Sequence, residues 1–79
     1  PEPYLYRGVL KFEKHEFSAA VADLTKAIEL NPNLADAYYY RGYAKSGGNI
    51  QNETICTDLK KAASLGHEQA AIEVKNSCK

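Results

Sequence analysis

The chain has 79 residues, in which ten lysines and arginines balance ten aspartates and glutamates. A chain of this length builds one modest core, which excludes two domains. The lack of a net field or a charge block argues against nucleic acid, anionic membrane or a highly charged substrate as partner.

The longest apolar run, Ala19-Ala20-Val21-Ala22, is far short of the roughly 20 residues of a membrane-spanning helix. No segment has the charged-then-apolar layout of a signal peptide, so a soluble module without membrane insertion is expected, its compartment open between cytoplasm and periplasm. The chain opens Pro1-Glu2-Pro3 with no initiator methionine, as expected of a piece of a longer protein.

Five helices are predicted in chain order. The first runs from about Pro3 to Lys14, with Pro3 in the first turn, where a missing amide donor costs nothing. Gly8 falls in mid-helix, at a cost of roughly 1 kcal/mol relative to alanine, and marks a close approach by a partner helix. The second helix carries Phe17, Ala20, Val21, Leu24, Ala27 and Ile28 at three-and-four spacing, the pattern of an amphipathic helix. Asn31 is expected in the left-handed conformation that ends many helices, and Pro32 blocks continuation. The third helix runs from about Leu34 to Ser46, with Gly42 in the role of Gly8, and Ser46-Gly47-Gly48-Asn49 reads as a turn. Ile55, Cys56, Leu59, Ala62 and Ala63 define a fourth helix, which Gly66 ends. The fifth, from about Glu68 to Ser77, places Ala71, Val74 and Cys78 on one face and is expected to cap the apolar end of the stack.

The helices are organised as a repeat. Tyr4, Arg7, Gly8 and Lys11 recur as Tyr38, Arg41, Gly42 and Lys45 at an offset of 34. Asp23, Leu24, Lys26, Ala27 and Leu30 recur as Asp58, Leu59, Lys61, Ala62 and Leu65 at an offset of 35. One residue is therefore inserted between the blocks, and the turn at Ser46 to Asn49 is where it costs least. The chain reads as one domain over residues 1–79, with repeat 1 at 1–34, repeat 2 at 35–66 and a capping helix at 67–79.

Tyr4 to Gly8, Ala20, Ala27 and Pro32, followed by Tyr38 to Gly42 and Ala62, closely resemble the tetratricopeptide repeat, a helix-turn-helix unit of 34 residues. The stretch from Lys26 to Gly42 is especially similar to bacterial members. The resemblance implies an all-α, antiparallel helix-hairpin stack forming a right-handed α-solenoid. In it the first and third helices line a concave groove, and the second and fourth form the convex back. The second unit departs from the pattern: it has Asn52 where an aromatic is usual, and it ends in Gly66 in place of Asn-Pro. Such decay suits a terminal repeat, and two units are few for an independent solenoid, so further repeats or self-association are expected.

All six tyrosines lie on the first and third helices. Leu5, Val9 and Phe12 form one stripe, and Tyr39, Tyr43 and Ser46 form the corresponding one. In the family such stripes face the groove, where tyrosine suits binding an extended or helical peptide. Glu2 and Asp36 stand one turn earlier, which favours a basic group at one edge of an apolar ligand. Ordinary packing competes with this reading, above all for Tyr4 and Tyr38, which match the family's interhelix aromatic. The family's grip on C-terminal carboxylates is absent, because Leu5 and Val9 stand where its lysine and asparagine would be; chaperone-tail binding is not expected.

Arg7 and Arg41 are each matched by an aspartate on the facing helix, Asp23 and Asp58. A bidentate structural pair in each unit is expected, against exposure of the arginines for a ligand. Cys56 and Cys78 stand ten residues before and twelve after Gly66. Rises of roughly 15 and 18 Å put them at similar height in a hairpin. A disulfide would need an oxidising compartment; the alternative, the more economical one, is two small buried thiols in a reducing one.

No catalysis is expected. His15 and His67 do not begin an HExxH run, sit in turns, and read as solvated side chains. Two cysteines without CxxC spacing build no metal site, and no phosphate loop, nucleophile-base pair or cofactor motif occurs. Asn52-Glu53-Thr54 has the form of a glycosylation acceptor, a pattern common by chance. The expected function is a protein-protein interaction module that takes a peptide or protein partner in its groove. The alternative is a structural spacer or self-association unit, a homo-oligomer included.

Overall fold

The computed structural model describes residues 2–47 and 52–78, and the side chains of these apart from Glu2, Asn52, Glu53, Thr54 and Ser77. The groove role of Glu2 and the glycosylation triplet therefore lie outside the described side chains, and Gly48-Asn49 of the turn outside the described residues. Five helices follow in order: α1 (Glu2–Glu13), α2 (Phe17–Leu30), α3 (Ala35–Gly47), α4 (Asn52–Ser64) and α5 (Glu68–Ser77). Among the described residues there is no strand, and no helix is long and apolar enough to cross a membrane. Each helix packs on its predecessor, and α1 also lies beside α3.

The helices approach closely because their facing residues are small. Ala20, Leu24 and Ala27 of α2 bury against Ala37 and Ala44 of α3, with Phe12, Phe17 and Tyr40 around them. Tyr38, Ile55, Leu59, Ala62 and Ala70 form a second cluster joining α3, α4 and α5. Ile28 packs on both clusters, so the stack has one continuous interior. Gly8 fits this spacing: a Cβ there would stand 2.7 Å from Leu24 Cγ, inside van der Waals contact. At Gly42 the approach is looser, with Ile55 O at 3.3 Å.

Two helix ends share one solution. Gly66 has φ of +96°. Its amide donates to Ala63 O and that of His67 to Ala62 O, the crossed pair of bonds that satisfies the last carbonyls of α4. The same pair closes α1, from His15 to Phe12 O and from Glu16 to Lys11 O. Here a histidine with φ of +63° takes the left-handed position. Asn31 differs from expectation: its φ is −148°, extended and not left-handed. The reason is Pro32, whose ring pushes the preceding residue into the extended region. The Asn31 side chain then accepts the Asn33 amide at 3.1 Å and turns the chain toward α3.

A candidate partner-binding face on α1 and α3

The repeated ion pairs orient α1 and α3. Asp23 on α2 accepts from Arg7 Nε at 3.0 Å and Nη2 at 2.9 Å, with Lys11 Nζ at 3.0 Å. Asp58 on α4 accepts from Arg41 Nε at 3.0 Å and Nη2 at 2.7 Å, with Lys45 Nζ at 3.5 Å. Each guanidinium also lies 5.4 Å from the ring centroid of Tyr4 or Tyr38, one turn before it. Both carboxylates are buried. The hydrogen bond from Arg7 holds the Asp23 carboxyl below its ordinary range, and the same bond raises the Arg7 guanidinium. The pairs differ in cover, since the Arg7 side chain is 58% exposed and that of Arg41 only 17%. Every cation of α1 and α3 is thereby committed to a carboxylate on the helix behind.

On the side away from these pairs, α1 and α3 enclose an open depression of about 590 Å³. It is lined by Pro3, Leu5, Tyr6 and Val9 of α1 and by Asp36 and Tyr40 of α3. Tyr6 is 69% exposed. Four of the sequence candidates are distributed differently. Phe12 turns into the core, its ring 5.6 Å from Tyr40 and 5.9 Å from Phe17. Tyr39 stacks on His67, with centroids 4.2 Å apart and planes at 17°, and meets Tyr43 edge-on. Tyr43 and Ser46 line a second, smaller hollow with Ile55, Leu59 and Glu73 beside the cysteines. Burial raises the phenols of Tyr39 and Tyr43, and the Glu73 carboxylate adds to the effect on Tyr43. The face therefore divides into an open end at α1–α3 and a covered end under α5.

The cover is held by two features. Cys56 of α4 and Cys78, just past α5, form a disulfide with their Cα atoms 5.6 Å apart; no free thiol is present among the described residues. The antiparallel α4–α5 hairpin carries both residues to one height, the geometry that the disulfide alternative requires. His67 is the residue that sequence reasoning missed. It is not a solvated turn side chain: its Nδ1 accepts the Ala70 amide at 3.1 Å and caps α5. Its Nε2 stands 3.1 Å from Asp36 Oδ1. The available signal was its position directly before the first turn of α5, where a capping acceptor is wanted. His15, by contrast, is exposed, with its ring beside that of Phe17. Among the described residues no cluster of three or more His, Cys, Asp or Glu side chains is placed to hold a metal.

Comparison with protein families matches residues 8–47 to the TPR repeat, 40 of the 79 residues. The chain belongs to the tetratricopeptide repeat family. The match spans α2 and α3, the turn between them and the second half of α1, where the small interior residues and Asn31-Pro32 lie. TPR repeats generally mediate protein-protein interaction, and this TPR chain has the all-α helical-repeat fold of the family. Comparison with curated proteins and with solved structures gives no significant match.

Proposed function

We propose that the open face between α1 and α3 docks a peptide segment of a partner protein, without catalysis or cofactor. The observation that carries this reading is the depression itself, apolar along Pro3, Leu5 and Val9 and rimmed by the phenols of Tyr6 and Tyr40. Pockets of this size, mostly apolar with a few polar groups, are the usual form of a binding site. Residues 1–34 and 35–66 act as the two repeats that frame it, and 67–79 as the cap. Tyr39 and Tyr43 contribute by holding α5, so their truncation lowers stability before it affects binding. The disulfide suits a protein folded in an oxidising compartment such as the periplasm.

Selection of binders from a random peptide library tests the reading. Peptides recovered on the chain should lose most of their affinity for a Tyr6→Ser/Val9→Ser variant whose circular dichroism is unchanged. Binders that hold the variant equally well, or no binders at all, count against it.

Self-association is the second reading, and a comparison of the two units favours it. Tyr40 and Ala44 of α3 are covered by unit 1, whereas Tyr6 and Leu10, at the same repeat positions in α1, are 69% and 40% exposed. A rise in solution mass with concentration, abolished by Leu10→Glu, would select this reading over the first.

A further inference from the structure

The following rests on the docking reading above and names the chemistry of the docked segment. Asp36 is the only charged side chain among the described residues that line the depression. Arg7, Lys11, Arg41 and Lys45, the cations of α1 and α3, are engaged with Asp23 and Asp58 on the other side. No cation from those two helices neutralises the open face.

The Asp36 carboxylate is also held in place. His67 Nδ1 accepts the Ala70 amide, which leaves Nε2 as the ring nitrogen that faces the carboxylate, 3.1 Å from Asp36 Oδ1. The ring is fixed a second time by its stack on Tyr39. Among the described residues Oδ2 has no partner, and the side chain is 61% exposed. An oriented carboxylate with one free oxygen, at the rim of an apolar hollow, is a receptor for a cation that follows an apolar group.

We propose that the partner segment carries a lysine or arginine beside an aliphatic side chain, the aliphatic group entering the Leu5–Val9 hollow and the cation closing on Asp36, with His67 as the positioning residue. A segment bearing a carboxylate at that point is disfavoured by repulsion from Asp36.

The library selection described above supplies the test, read this time by sequencing the recovered peptides. Peptides that depend on Tyr6 and Val9 should be enriched in lysine or arginine within four positions of an aliphatic residue. Asp36→Asn should weaken them up to about fivefold, the range for an exposed ion pair, and should erase the basic enrichment while the aliphatic one remains. His67→Asn keeps a capping acceptor for α5 but removes the ring nitrogen that stands against Asp36. It should reduce affinity for a lysine peptide and leave its lysine-to-glutamine analogue unaffected, a difference that a merely structural role would not produce. Tyr6-dependent binders without basic enrichment, or with affinity unmoved by Asp36→Asn, overturn the cation inference and leave the docking reading intact. Absence of Tyr6-dependent binders overturns both.

Discussion

Reduction of the Cys56–Cys78 bridge is expected to cost this domain about 3 kcal/mol of stability. The bridge spans a sequence separation of 22. Cross-linking a denatured loop of that length removes about 11 cal/mol/K of entropy, or about 3.4 kcal/mol at 25 °C. The folded state loses less on reduction, because Ala70 stays buried, Val74 packs on the α3–α4 cluster and His67 keeps its stack on Tyr39. Ordinary stability for a chain of 79 residues is about 4–12 kcal/mol in total, and each kcal/mol moves Tm by about 4–8 °C in a domain of this size. Thermal melts followed by circular dichroism should therefore show Tm falling by roughly 15–25 °C on addition of a phosphine reductant. A Cys56→Ser/Cys78→Ser variant should melt like the reduced protein. Hydrogen exchange should accelerate first in α5, the element the bridge fastens. A fall in Tm of less than about 3 °C, with both thiols titrated as free, would refute the reasoning.

Two pairs of substitutions probe the repeat interior. Gly8→Ala places a Cβ 2.7 Å from Leu24 Cγ, in a side chain with no exposure and no room to retreat. The overpacking outweighs the helix-propensity gain of about 1 kcal/mol, for a net loss of about 1 kcal/mol. Gly42→Ala, with its nearest contact at 3.3 Å, should stay within about 1 kcal/mol of wild type; chemical denaturation yielding the opposite order would reject the packing account. Asp58→Ala should cost about 3 kcal/mol, because Arg41 and Lys45 are both largely covered, and Asp23→Ala should cost less, because Arg7 can return to water. The Asp23 carboxyl is held below its ordinary value of 3.8 by Arg7, so its contribution is full above that value and is lost as pH falls through the lower folded value. The stability gap between wild type and Asp23→Asn should accordingly be flat near neutrality and close on acidification; a gap that widens in acid would contradict the assignment.

The repeat made most of the fold legible. Offsets of 34 and 35, apolar spacing and Gly66 located five helices to within a residue or two, because each depends on local periodicity or on a terminator within one turn. The paired arginines and aspartates were legible for a related reason: a coincidence that occurs twice at one repeat position points to a contact. Asn31 was misread because the left-handed tendency of asparagine is weak beside the steric demand of the following proline.

The open face was legible only in part. Sequence periodicity placed Leu5, Val9, Phe12, Tyr39 and Tyr43 along two stripes of α1 and α3, and spacing alone could not say which neighbour each would meet. Packing decided that, sending Phe12 inward to Tyr40 and Phe17, and covering Tyr39 and Tyr43 with α5. The closure of Cys56 on Cys78 and the reach of His67 to Asp36 also depend on how α5 folds back, a matter of helix direction over tens of residues. Sequence thus determined the units, their helices and their internal ion pairs, which are set by contacts within one repeat. Tertiary structure decided which part of the tyrosine-rich face stays open, because that is set by the helix packed from the far end of the chain.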